Sequence, residues 1–166
     1  GRRFYEPFEG EPVLVSPGSA LEDSKVLLNE MKPYLSRADY ASINLETPVF
    51  EAPPGPAAPK FVTFYSAPET LGALEWAGVD YVALGNNHTY DFLEPGLEIT
   101  LKNLRESQLD YSGAGTTESE ALRAHRQSVA SVTYDHLSYV GWPAGPPTQS
   151  AETDKGGAAL GTSENI

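Results

Sequence analysis

The stretch Tyr81-Val-Ala-Leu-Gly-Asn-Asn-His-Thr-Tyr-Asp91 decides how the rest of the chain is interpreted. Its first four residues are apolar and predict a short buried strand that breaks at Gly85. Polar side chains follow at once: two amides, an imidazole, a hydroxyl and a carboxylate. In an open α/β sheet, ligands bind at the carboxyl ends of the strands. Because imidazole and amide groups can bind metals and histidine can transfer protons near neutral pH, this stretch predicts the functional site.

Each polar residue of this stretch also has an ordinary structural explanation. Consecutive amides are good turn formers, so Asn86 and Asn87 equally predict a turn in which their side chains bond their own backbone. His88 would then be a half-exposed residue without a chemical role. Asp91 either hydrogen-bonds to His88 and orients it, or caps the helix that follows. The residue pattern alone leaves both interpretations open.

The strands on either side of the central one carry further polar groups and glycines at their ends. Residues 39–45 predict the preceding strand, which ends around Asn44 and Glu46. Residues 109–111 predict the following strand, which runs into Ser112-Gly-Ala-Gly115. Strands that alternate with helices indicate parallel βα units, and the carboxyl ends of parallel strands share one edge of the sheet. We therefore expect these groups to converge on the polar stretch after the central strand.

Glu46 and the glycine-rich turn can likewise be interpreted in two ways. The two oxygens of a carboxylate can bind different cations, so Glu46 is suited to bridging two metals. It is equally suited to lying on the surface or capping the following turn. The glycine-rich turn lacks the lysine of a P-loop and the third glycine of the dinucleotide fingerprint, so it predicts a tight turn that allows close backbone approach. His125 and His136 show no ligand spacing and are interpreted as structural.

Helices are predicted to begin at Ser19 and Ser66, because each serine is followed three residues later by a glutamate in capping-box spacing. Thr117 has the same spacing to a glutamate and predicts a short helix through Ala124. The helix over residues 93–107 is the clearest, because its leucines repeat on one face. The apolar residues expected to face the core are Val26, Leu27 and Met31 in the first helix, Leu71, Leu74 and Ala77 in the second, and Leu97, Leu101 and Leu104 in the third.

The remaining segments have weaker patterns. Residues 51–60 are rich in proline and predict an exposed loop. Residues 126–132 and 136–142 alternate well enough for two strands, joined at Tyr134-Asp135. Residues 145–166 are rich in glycine, serine and threonine and predict a loop or a poorly ordered tail. All 166 residues are interpreted as one domain.

The composition excludes several classes of protein. The net charge is −12, from 23 acidic and 11 basic residues, which argues against nucleic acid as a partner. There is no cysteine, so disulfides and thiolate metal sites are excluded. No run is long and apolar enough to span a membrane. The chain opens at Gly1 rather than Met, so we expect it to be cut from a longer protein whose anchor or export signal is absent.

Taken together, the motifs resemble those of the CapA family, which is named for capsule biosynthesis and poly-γ-glutamate synthesis. The resemblance extends over about residues 34–142, and the combination of Asn-Leu-Glu with Asn-Asn-His-x-x-Asp is quite specific. The CapA family is similar to the calcineurin-like metallophosphatases. The segments that carry the resemblance are residues 38–48 with Asn-Leu-Glu-Thr-Pro, 64–78 with Ala-Pro-Glu, 79–91 with Asn-Asn-His, 96–104, and 112–121.

This resemblance implies a fold, a cofactor and roles for residues. The fold would be α/β, part of a calcineurin-like metallophosphatase sandwich, with parallel βα units and a C-terminal pair of strands. The cofactor would be a divalent metal (Mn, Zn, Fe or Mg). Glu46 would bridge two such ions, Asn87 would be a metal ligand, and His88 would contact the phosphate. The implied site therefore has Glu46, Asn87, Asn44 and Asn86 as candidate metal positions and His88 and Asp91 as candidate catalytic residues.

Two functions remain open from the sequence. The family pattern begins with a Gly-Asp strand and ends with a His-Gly segment, neither of which this chain contains, so we expect metal binding to be weak or absent and this fragment to be inactive. The parent protein would be either a metal-dependent phosphoesterase or a non-catalytic module that binds polymer or scaffolds a synthase. Its expected partners are an anionic polymer such as poly-γ-glutamate, a phosphoester substrate or membrane synthase components, at the outer surface of a bacterial cell.

Overall fold

A parallel three-stranded sheet lies at the centre of the computed structural model, which describes Gly10, residues 12–142 and residues 148–165. Its strands are β1 (Ser42–Asn44), β2 (Tyr81–Ala83) and β3 (Asp110–Ser112), in that order across the sheet. The residues that start the three strands are in register, so the strands also end at one level. The α/β class with parallel units is thereby confirmed, and so is the shared edge on which the predicted site depends.

Two of the helices that connect the strands bury the faces that the sequence predicts. Helix α3 (Glu69–Ala77) joins β1 to β2, and helix α4 (Leu93–Glu106) joins β2 to β3. Gly78 ends α3 with a φ of 92°, a left-handed conformation that favours glycine. The residues buried from these two helices include all those predicted to face the core: Leu71, Leu74, Ala77, Leu97, Leu101 and Leu104.

The first helix faces the core differently from the prediction. Helix α1 (Ala20–Leu28) is followed by the short α2 (Lys32–Leu35). The prediction that Val26, Leu27 and Met31 face the core is wrong, because these residues are 73%, 41% and 52% exposed, respectively. Instead α1 packs on α3 through its small buried residues and through a leucine that lies over the glycine of α3. Small side chains allow two helices to approach closely, and this contact overrides the apolar stripe.

Of the three predicted caps, only the last one forms. The hydroxyl of Ser19 donates to the carboxylate of Asp23 at 2.7 Å, and α1 has no side-chain cap. The hydroxyl of Ser66 instead hydrogen-bonds to that of Thr47, also at 2.7 Å. Thr117 does cap the short helix α5 (Glu118–Ala121), because its side chain accepts from the Glu120 amide at 3.3 Å. The spacing is therefore not sufficient when another hydroxyl or carboxylate competes for the serine.

The C-terminal pair of strands is present with a different turn. Strands β5 (His125–Val129) and β6 (Val132–His136) form an antiparallel hairpin. Its turn lies at Ala130 and Ser131, with φ values of 47° and 69°, and the predicted turn at Tyr134-Asp135 is wrong because both residues lie within β6. Two-residue hairpin turns with positive φ normally contain glycine or asparagine, so nothing in the composition indicated this one.

The C-terminal segment packs against the domain. Strand β7 (Gly157–Ala158) pairs antiparallel with β4 (Ala114–Gly115), just beyond the end of β3. Most of the backbone over residues 148–165 is irregular, as predicted, but residues 149–151 and 156–159 are buried. These buried residues are packed within the domain, while residues 145–147 and residue 166 of the predicted segment lie outside the described part. The small residues that suggested disorder are those that allow backbones to meet closely.

Candidate functional site

The ends of β1 and β2 are joined by the side chain of Asn86. Its Nδ2 donates to Asn44 Oδ1 at 3.1 Å and to the carbonyl oxygen of Leu45 at 3.0 Å. These bonds connect the residue that ends β1 with the turn that follows β2. The structure therefore brings Asn44 and Asn86 together at the predicted edge of the sheet. We use the name strand-end site for these two residues together with Glu46, Asn87, His88 and Asp91.

Asn86 also supports the turn on its other side. Its Oδ1 accepts hydrogen bonds from the His88 backbone amide at 3.0 Å and from the Thr89 hydroxyl at 3.2 Å. Both ends of the amide are thus engaged, in the turn arrangement that the sequence left open. A metal at Asn86 Oδ1 would compete with these bonds.

His88 is held by a fully buried carboxylate. Asp91 has no exposed surface, and its Oδ2 lies 2.8 Å from His88 Nδ1 and accepts from the Phe64 amide at 2.7 Å. Helix α4 receives no side-chain cap, so Asp91 orients the histidine and does not cap the helix. Once Nδ1 is occupied, Nε2 is the ring nitrogen left for chemistry, and no described residue hydrogen-bonds to it.

Lys60 completes this arrangement and was missed in the sequence. Its Nζ contacts Asp91 Oδ1 and donates to the Asn87 carbonyl oxygen at 2.6 Å. The loop over residues 51–60 was predicted to be exposed, and its first part is, but Ala58 is buried and its amide donates to the Asp91 carbonyl at 2.7 Å. A lysine at the end of a proline-rich loop carries no local signal for this contact, which only the fold creates.

Glu46 and Asn87 are the open positions of the strand-end site. Glu46 is exposed and Asn87 is half-buried, and neither side chain hydrogen-bonds to a described residue. Divalent and first-row transition metals require several oxygen or nitrogen ligands. Within the described ranges, no three His, Cys, Asp or Glu side chains form a group that could hold a metal ion. The donors present therefore fit only part of a metal site.

The other two histidines lie elsewhere. His125 Nε2 is 3.1 Å from Asp110 Oδ2, and the Tyr40 hydroxyl donates to the same oxygen at 3.2 Å. The ring of His136 packs 5.0 Å from that of Tyr40. Burial and the nearby charge of Asp110 raise the pKa of the Tyr40 hydroxyl. Because Asp110 starts β3, this cluster lies at the amino ends of the strands and is separate from the strand-end site.

Comparisons with known proteins point to one family. The family model described as "Bacterial capsule synthesis protein PGA_cap" matches residues 6–164. The capsule biosynthesis protein CapA of Bacillus anthracis is 31% identical to this chain over 115 residues. That alignment covers 68% of this chain and 28% of the relative, so the chain spans less than a third of the length of the relative it matches.

Proposed function

The chain belongs to the family of bacterial capsule synthesis proteins, and on this premise we propose that its strand-end site supports phosphoester hydrolysis during capsule assembly. The observation that carries the proposal is the pair formed by His88 and the buried Asp91, with 2.8 Å between ring nitrogen and carboxylate. A histidine held in this way by a carboxylate is a common arrangement for proton transfer.

In the proposed reaction, His88 transfers a proton through its Nε2 atom. In hydrolysis, the oxygen of a water molecule bonds to phosphorus, the bond from phosphorus to the ester oxygen breaks, and the departing oxygen takes up a proton. An imidazolium ring, protonated at both nitrogens and placed within hydrogen-bond reach of that oxygen, can supply the proton from Nε2. The ring then returns to the neutral form with its remaining proton on Nδ1, and the proton released by the attacking water passes to solvent. Asp91 would hold the ring in place during the transfer, as hydrogen-bonded carboxylates do for other histidines.

We further propose that the complete protein binds a divalent cation for which Glu46 and Asn87 supply part of the ligand set. Both side chains lie at the strand-end site and have no hydrogen-bond partner among the described residues. Because these two donors are too few for a tight site, other residues would have to provide the remaining ligands.

The proposed substrate class follows from the family and the charge of the chain. A role in capsule synthesis suggests the cell surface as the place of action, with poly-γ-glutamate or another anionic polymer as the material handled. With a net charge of −12, direct binding of a polyanion would need cations as bridges. None of the helices in the described ranges is long and apolar enough to cross a membrane.

The test is carried out on the complete protein that contains this chain. Hydrolysis of bis(p-nitrophenyl) phosphate is measured with and without Mn²⁺ for the wild type and for His88→Ala. We expect the variant to lose activity by roughly a hundredfold, the scale of general acid catalysis. The matched control is His125→Ala, which removes a histidine outside the strand-end site and should leave the rate nearly unchanged. Full activity of His88→Ala would refute the proposal.

A second candidate function is a non-catalytic scaffold within a capsule synthesis complex. It is favoured by the exposed apolar residues of α1, α2 and the turn between them, where Val26, Met31 and Tyr34 are 73%, 52% and 74% exposed. Exposed apolar surface of this kind often marks a contact with another protein. Capsule formation in cells that carry only the His88→Ala protein would favour the scaffold, and its loss would favour hydrolysis.

A further inference from the structure

The end of the proline-rich loop is fastened to the strand-end site at several points. The Ala58 amide donates to the Asp91 carbonyl at 2.7 Å, and Lys60 Nζ contacts the Asp91 carboxylate. The Phe64 amide donates to that carboxylate at 2.7 Å, and the Phe64 ring lies 4.3 Å from the ring of His88, tilted by 39°. The segment over residues 58–64 thus surrounds the group that holds the histidine.

Lys60 neutralises the charge of the buried Asp91 carboxylate. A carboxylate without exposed surface is costly unless it is paired and hydrogen-bonded. Among the described residues, the ammonium group of Lys60 is the only lysine or arginine cation in contact with it. Lys60 is also mostly buried, with 21% of its side chain exposed, and its second acceptor is the Asn87 carbonyl. Both contacts direct the ammonium group of Lys60 toward the protein interior. Lys60 therefore has a structural role and is not available to bind substrate.

The two oxygens of the carboxylate have different partners. Oδ1 is held by Lys60, while Oδ2 receives the Phe64 amide and faces His88 Nδ1. Holding both oxygens fixes the plane of the carboxylate, and that plane fixes where the Nδ1 proton of the histidine can be accepted. Without Lys60, among the described residues other than His88, only the Phe64 amide restrains the carboxylate, at one of its two oxygens. We expect the carboxylate then to turn about its bond to the chain and the histidine to lose its single orientation.

We propose that Lys60 is a positioning residue that holds His88 in the Nδ1-protonated form through Asp91. This inference rests on the proposed function for its consequence in catalysis, but the arrangement of the ring can be tested independently. Lys60 does not contact the reacting atoms and acts only through the carboxylate. Partners of this kind typically change activity by about 10–100-fold when they are removed.

The test measures the imidazole nitrogens by ¹⁵N–¹H long-range NMR at one pH on the chain, which has three histidines. His88 is assigned by its absence in His88→Ala. We expect a single Nδ1-protonated form in the wild type, a mixture of both tautomers in Lys60→Met, and recovery in Lys60→Arg. The matched control is Lys155→Met, since Lys155 is similarly buried, with 25% of its side chain exposed, but is not paired with Asp91.

The activity of the complete protein gives the second measurement. We expect Lys60→Met to lower kcat by at least tenfold with KM nearly unchanged. If Lys60→Met does not fold, Lys60→Gln, which keeps a donor but lacks the charge, is measured in its place. A folded variant with the wild-type tautomer would overturn the positioning role. If His88→Ala retains activity, the proposed function fails while the NMR result still decides the role of Lys60.

Discussion

The ends of β1 and β2 lie side by side in the sheet but are organised in opposite ways. After β2, the polar side chains of Asn86, His88 and Asp91 are buried and hydrogen-bonded within the protein. After β1, Glu46 is exposed and hydrogen-bonds to no described residue. The difference shows that the proton-transfer half of the proposed site is already fixed by the fold. The two side chains proposed to bind a cation, Glu46 and Asn87, hydrogen-bond to no described residue.

This contrast also separates two uses of asparagine. Asn86 and Asn87 are consecutive, yet the side chain of one makes four hydrogen bonds and that of the other makes none to the described residues. The first holds the turn together, and the second is the one that we propose as a metal ligand. Identical residue types at adjacent positions can therefore be expected to respond very differently to substitution.

The largest effect is expected where the buried charge is removed. Asp91→Ala leaves Lys60 without its carboxylate and removes the acceptor for the Phe64 amide and for His88. Loss of one partner of a buried pair typically costs about 3–5 kcal/mol, and the partial exposure of Lys60 places this case near the lower value. Urea unfolding of the chain measures it. The control is Asp135→Ala, which breaks an exposed pair with Arg126 and should change stability little. Equal effects from both would show that the buried pair contributes no more to stability than an exposed pair does.

A smaller loss of stability is expected from substitution of Asn86, with the adjacent Asn87 as the control. In Asn86→Asp, a carboxylate oxygen replaces the amide nitrogen and faces two oxygens, those of Asn44 and Leu45. Loss of these bonds and the resulting repulsion should cost about 2 kcal/mol. Asn87→Asp, the matched control, should change the free energy of unfolding by less than about 0.5 kcal/mol. The comparison would be refuted if the order of the two variants were reversed in the same denaturation experiment.

The smallest effect on stability is expected at the open end of the site. Glu46→Gln alters an exposed side chain without a described partner, so the free energy of unfolding should change by less than about 0.5 kcal/mol. In the complete protein the same variant should weaken Mn²⁺ binding, measured by calorimetry, because it removes a negatively charged ligand. Unchanged metal affinity would exclude Glu46 from the cation site, although the proton-transfer half would be unaffected.

The sequence predicted those parts of the fold that depend on local and periodic patterns. The central strand and the leucine face of α4 followed from the hydrophobic period of the sequence. The shared edge followed from the topology of parallel units, and it brought Asn44 and Asn86 together as expected. These features depend on rules that a short window of sequence contains.

What the sequence could not predict depends on contacts between distant segments. Lys60 meets Asp91 only because the loop folds back over the end of β2, and no spacing rule connects the two residues. Likewise, α1 turned its apolar stripe outward because small residues on another face fitted α3 better. The serines at 19 and 66 found other partners than the backbone. In each case a tertiary contact outweighed a local preference.

The pairing of β7 with β4 has a consequence for the order in which the molecule is made. The three parallel strands and the helices between them are all encoded before Gly113, but that glycine receives the Ala159 amide on its carbonyl at 2.8 Å. Proteins are synthesised from the amino terminus, and early segments start to fold before later ones emerge. The side of the sheet beyond β3 therefore stays uncovered until residues 157–159 have left the ribosome, after all three parallel strands have been synthesised.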